Sequence, residues 1–73
     1  MIKTIEEAHA YLKVHGKDIG RRADAGNESC QKIIRMYQMH YKCPGDPGAQ
    51  AFLIEYLNEF EKYRGKTEYT AVS

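Results

Sequence analysis

The chain has 73 residues, of which 42% are hydrophobic and 29% charged, and its formal net charge is +1. This composition is typical of one small globular domain and excludes a disordered chain, because enough apolar side chains are present to form a core. The near-neutral charge also argues against a strongly electrostatic nucleic-acid binder. The charge is uneven, however: residues 13–42 carry seven bases and three acids, whereas residues 43–73 carry three bases and five acids.

The sequence has no apolar run of the roughly 18–20 residues that a membrane-spanning helix needs. Its first ten residues, MIKTIEEAHA, contain two acids where a secretory signal requires an apolar segment. We therefore expect a cytoplasmic protein without membrane contact. Cys30 and Cys43 would lie roughly 20 Å apart along one helix, beyond the reach of a disulfide, and both are predicted to be free thiols.

The first helix is predicted over residues 5–15. Thr4 and Glu7 have the spacing of a capping box at its start, and Gly16 suits the left-handed position that follows a helix end. Asp18 is then predicted to cap a short second helix over residues 19–25, which Gly26 would end.

The central helix is predicted over residues 28–41, with Asn27 as its cap. Apolar and aromatic side chains recur at the spacing of one buried helical face. These residues are Cys30, Ile33, Ile34, Tyr37 and Tyr41. The last helix is predicted to begin at Pro47 after the cap Asp46 and to end at Gly65. Its expected core stripe is Ala49, Leu53, Tyr56, Leu57 and Phe60, and Glu55, Asn58, Glu59 and Lys62 are expected on the solvent side.

These elements predict an all-α fold, a small single-domain bundle of three main helices and one short helix. Residues 1–65 would form the bundle, and residues 66–73 a flexible C-terminal tail. Connections of two to six residues favour antiparallel packing of neighbouring helices.

No constellation in the sequence specifies a reaction, and we expect no catalytic residue, cofactor or metal. His40 and Cys43 form a close pair, but structural zinc requires four convergent ligands and Cys30 lies about 15 Å away along the helix. The segment CPGDPG lacks the lysine and hydroxyl of a phosphate-binding loop. The sequence therefore predicts a non-enzymatic protein.

The side of the central helix opposite its apolar stripe combines cations with flexible apolar groups. We expect it to bind another protein through Lys32, Arg35, Met36 and Met39. Single exposed methionines are common, however, and this face could equally be an ordinary surface or be wrapped by the rest of the fold. A homodimer is compatible with the same surface, and the sequence does not identify the partner.

Two functional hypotheses follow. Small size, an all-helical pattern and the lack of catalytic groups are typical of phage- or plasmid-encoded proteins that bind a host protein, anti-CRISPR inhibitors among them. The first hypothesis is therefore an inhibitor or adaptor of a mobile element. The alternative is a helix-turn-helix-like nucleic-acid binder that uses Arg21, Arg22, Lys32 and Arg35, although the turn is one residue shorter than that motif requires and Glu28 would face phosphate.

Overall fold

The computed structural model describes residues 1–64, which form three α-helices and contain no strand. The helices are α1 (Ile5–Asp24), α2 (Glu28–Lys42) and α3 (Pro47–Arg64). The predicted all-α bundle is confirmed. Gly65 and the predicted tail, residues 66–73, lie outside the described residues.

The first helix continues through Gly16, so the predicted stop there and the separate short second helix are wrong. The buried side chains of α1 stay in one helical register across this glycine: Ala8, Ile19 and Ala23. A helical glycine costs about 1 kcal/mol relative to alanine, and burial of Ile19 and Ala23 offsets that cost. Asp18 therefore lies within α1 and caps nothing; its carboxylate accepts a hydrogen bond from Arg22 at 3.1 Å.

The turn between α1 and α2 is a three-residue connection built on one glycine and one asparagine. Gly26 has a φ of 104°, and its N–H donates to the carbonyl of Ala23 at 3.0 Å. The N–H of Asn27 donates to the carbonyl of Arg22 at 2.9 Å, which completes a Schellman motif. The Asn27 side chain also accepts from the N–H of Cys30 at 3.0 Å and so caps α2, as predicted.

The core lies between the inward faces of the three helices. On α3 the predicted stripe is largely confirmed, since Leu53 and Leu57 are fully buried and Phe60 is 4% exposed. On α2 the inward face is centred on Ile33, and two residues that were predicted to be buried are exposed, Tyr37 at 41% and Tyr41 at 77%. His40 takes the inward position instead, because it lies seven residues after Ile33 and therefore on the same face.

The N-terminal segment is fixed to α3 by one side chain. Asn58, which the sequence pattern placed toward solvent, accepts from the N–H of Ile2 at 2.8 Å and donates to its carbonyl at 2.9 Å. These two bonds hold Ile2 in place, and its side chain joins the core. A residue before the first helix therefore contributes to the interior.

Truncation of the central core leucine tests this packing. We expect Leu57→Ala to lower the free energy of unfolding by about 2–5 kcal/mol, because the site is fully buried and the lost methyl groups leave a cavity. Urea denaturation measures the change. Glu59→Ala on the exposed side of the same helix is the control and should shift stability by no more than about 0.5 kcal/mol. Equal effects of the two changes would show that α3 does not pack as described.

The glycines inside α1 allow an opposite prediction. A Cβ added at Gly16 or Gly20 meets no atom within 4 Å. Gly16→Ala and Gly20→Ala should therefore each raise the free energy of unfolding by about 0.4–1 kcal/mol, since alanine loses less backbone entropy in a helix. Gly26→Ala is the control and should destabilise, because its φ of 104° strains any residue with a Cβ. A loss of stability in Gly16→Ala would contradict the open surroundings of this residue.

Candidate functional site

The predicted protein-binding residues lie on α2, but they do not share one solvent-facing surface. Lys32 and Arg35 are exposed, and Met39 is 50% exposed. Met36 is half-buried and packs against the core, so most of its side chain supports the fold. The exposed part of the predicted site therefore consists of Lys32, Arg35 and Met39.

The predicted nucleic-acid-binding arginines are drawn into contacts within the chain. Asp18 binds Arg22 at 3.1 Å and Arg21 at 3.5 Å, and the hydrogen bond from Arg22 lowers the pKa of the Asp18 carboxyl. The Arg22 guanidinium also lies 5.5 Å from the centre of the Phe60 ring, within the range of a cation–π contact. Arg22 therefore has a structural role between α1 and α3, whereas Lys32 and Arg35 lie on the exposed side of α2.

A groove of about 480 Å³ runs between α1 and α2. Its surface is mostly apolar, and its polar or charged lining residues are His9, Lys13 and Tyr37. The apolar lining consists of Leu12, Gly16, Ile19, Ile33 and Ile34. A concave, mostly apolar surface of this kind suits an apolar ligand.

The groove continues at both ends along α2. Past Ile34 it meets a depression of about 340 Å³ bordered by Asp24 and Arg35. Past Tyr37 it meets one of about 460 Å³ bordered by Tyr41 and Lys42. The central groove shares Ile34 with the first depression and Tyr37 with the second, so the three adjoin one another along α2. Below, "the groove" means this surface.

Sequence reasoning missed the groove because it treated α1 as two helices. With α1 interrupted at Gly16, no continuous helix lies beside α2. The available signal was the pair Gly16 and Gly20, which lie on one face of an unbroken helix and leave space where side chains would otherwise be.

A histidine pair joins α1 to α2 at one end of the groove. The Nε2 atoms of His9 and His40 lie 3.0 Å apart, and the ring of His40 is 6% exposed. Among residues 1–64, none is a hydrogen-bond partner of the buried Nδ1 of His40. An unpaired acceptor is tolerated better in a protein interior than an unpaired donor. The favoured tautomer therefore has a protonated His40 Nε2 that donates to His9, and a bare Nδ1.

The histidine pair does not amount to a metal centre. Two ring nitrogens supply two ligands, and the described residues contain no group of three side chains that could hold an ion. The two cysteines are free thiols, as predicted. Burial raises the pKa of the Cys30 thiol, which is the behaviour of a core residue and not of a nucleophile.

A second polar contact holds α1 against α3 on the side away from the groove. The Tyr11 hydroxyl donates to Glu61 at 2.6 Å, and Arg64 donates to the same carboxylate at 3.1 Å. These two bonds lower the pKa of Glu61, while burial raises the pKa of the Tyr11 phenol. The position of α1, and with it one wall of the groove, is therefore fixed from both sides.

The histidine pair can be tested by a double-mutant cycle. We expect His9→Ala to lower the free energy of unfolding by about 1–3 kcal/mol, because the buried Nε2–H of His40 loses its acceptor. In a His40→Leu background the same change should cost no more than about 0.5 kcal/mol, since no buried donor remains. Chemical denaturation of the four proteins gives the coupling energy. Equal costs in both backgrounds would show that the rings do not interact.

A comparison of the chain with protein-family models, with curated proteins and with solved structures found no match. Within residues 1–64, no helix has both the length and the apolar character needed to cross a membrane. The function of the chain therefore has to be inferred from its own surfaces.

Proposed function

We propose that this chain is a non-enzymatic module that binds another protein through the surface of α2. The observation that carries the proposal is the open, mostly apolar groove between α1 and α2. It combines aliphatic side chains with Tyr37 and, at its extension, Tyr41, which is 77% exposed. Aromatic residues beside an apolar centre are characteristic of protein interfaces.

The form of the groove favours a macromolecule over a small ligand. Small-molecule sites enclose most of the ligand surface, whereas this groove is open along its length and extends past Ile34 and Tyr37. Its lining contains no nucleophile beside a base, which is consistent with a binding role and not a catalytic one.

The face predicted from the sequence borders the groove at Arg35. Arg35 lines the extension of the groove, while Lys32 and Met39 lie farther round α2. In this proposal Arg35 is the charged contact at the edge of the apolar centre, Met39 an adaptable contact and Lys32 a peripheral charge that speeds association. Met36 supports these residues from the core side.

The most concrete form of the proposal is an inhibitor or adaptor of a mobile element that acts on a host protein in the cytoplasm, as anti-CRISPR inhibitors do. Size and fold class alone support this form. The nucleic-acid alternative has weaker support, because Arg22 is held by Asp18 and Phe60 and the net charge of the whole chain is only +1.

Affinity capture from the source cell with matched variants tests the proposal. Tyr37→Glu places a charge in the apolar groove and should abolish capture of the partner, because that charge would be desolvated without compensation. Val14→Glu adds the same charge elsewhere on the surface, at a residue that is 74% exposed, and should leave capture intact. Thermal unfolding should show that both variants are folded, and Val14→Glu should lie within about 0.5 kcal/mol of the parent.

A third variant separates the groove from the face predicted by the sequence. Arg35→Ala combined with Met39→Glu should weaken capture, since Arg35 borders both surfaces. Loss of capture in this variant, with full capture by Tyr37→Glu, would move the interface to the Lys32 side of α2. Full capture by both variants at unchanged stability would reject binding through α2.

A further inference from the structure

We infer that the groove binds an acidic amphipathic helix of the partner, which lies along α1 over Gly16. This inference rests on the proposed function and identifies the kind of segment that occupies the site. It depends on three properties of the groove, namely its charge, its apolar floor and the empty space above Gly16.

The charge of the groove favours an acidic ligand. Lys13 lines its central part, Lys42 borders one extension and Arg35 the other. Among the described lining residues the single carboxylate is Asp24, at the far end. Cations distributed along an apolar surface attract a segment that carries carboxylates beside its apolar side chains, and oppose a basic one.

The same charges argue against a symmetric dimer formed groove to groove. A two-fold axis would place the same surface on both sides of the interface, so Lys13 of one protomer would approach the basic surface of the other. Like charges brought together in an apolar contact are unfavourable. A partner of opposite charge avoids this repulsion.

The floor of the groove has the composition and length that suit a helix. Leu12, Ile33 and Ile34 form an aliphatic centre, and Tyr37 stands beside them. A helix presents apolar side chains three or four residues apart along one face, and recognition of a helix in a groove uses such a row of anchors. The elongated surface can receive several anchors in succession.

Gly16 allows the backbone of such a helix to approach closely. It lines the groove, whereas Gly20, one helical turn later on the same face of α1, is outside the lining. A Cβ at Gly16 would meet no atom within 4 Å in the described chain, so internal packing does not explain its small size. A helix lying over Gly16 would contact the α1 backbone directly, the arrangement that small residues permit between helices.

A synthetic peptide provides the probe. It carries alanine and leucine at helical spacing on one face and glutamate on the other, with a fluorescent label at one end. A second peptide replaces every glutamate by lysine. Fluorescence anisotropy should show binding of the acidic peptide, a dissociation constant that rises with salt, and binding of the basic peptide that is at least about tenfold weaker.

Variants of α1 identify the binding site. Gly16→Leu fills the space over α1. It should lower the affinity for the acidic peptide by about tenfold or more, as expected when the centre of an interface is blocked. Ala10→Leu adds a side chain to an exposed position of the same helix and should bind as the parent does. Gly16→Ala should be more stable than the parent and yet bind the acidic peptide more weakly, which a purely structural role of Gly16 would not produce.

A matched pair of charge-reversal variants tests the contribution of the cations that line the groove. Lys13→Glu should weaken binding of the acidic peptide. Lys17→Glu makes the same change at an exposed residue of α1 that does not line the groove, and it should have little effect on binding. If both variants lose the same affinity for the acidic peptide, the attraction depends only on the net charge of the protein. That result would overturn the assignment of a site.

Other outcomes overturn the inference in different ways. Equal binding of the acidic and basic peptides, or full binding by Gly16→Leu, would reject it. Sedimentation that shows a dimer abolished by Gly16→Leu would assign the groove to a second copy of the chain. If neither peptide binds while Tyr37→Glu still abolishes partner capture, the groove remains the interface but its occupant is not an acidic helix.

Discussion

The relation between α1 and α2 determines the surface of this protein, and it is set at two points. At one end the turn at Gly26 and Asn27 closes α1 and opens α2 within three residues. At the other end the imidazoles of His9 and His40 meet at 3.0 Å. Between these points the helices lie side by side, and Gly16 leaves the space between them open. The groove is thus a consequence of two fixed ends and of the missing side chain at Gly16.

The contacts of α1 with α3 complete this arrangement without filling the groove. Tyr11 donates to Glu61 of α3, and Arg22 lies over the ring of Phe60. Closure of α1 onto α2 would bury more apolar surface, but it would disturb these contacts with α3. The groove is present in the chain without a ligand, and a preformed site reduces the entropy that is lost on binding.

The parts of the fold that were predictable from the sequence are those that depend on neighbouring residues. Thr4, Glu7 and Asn27 cap helices because a short polar side chain can reach a free N–H only within a few residues. The continuation through Gly16 depends on distant contacts of Ile19, and periodicity near the glycine does not reveal them. The spacing of seven residues between Ile33 and His40 indicates the inward position of His40, but its contact partner His9 lies 31 residues away. The groove was not predicted, because it needs an unbroken α1 and the pairing of α1 with α2.

A domain of this size has little stability to spare, and several of its features reduce that stability. The two glycines inside α1 lower helix propensity, and within residues 1–64 the buried Nδ1 of His40 has no hydrogen-bond partner. The histidine pair offsets part of this cost by joining two helices. Burial of Ile19 and Ala23 offsets the cost of the glycines, but no other part of the described chain packs into the space beside Gly16. Residues that weaken a fold locally tend to occur at functional sites, and Gly16 lies in the lining of the groove.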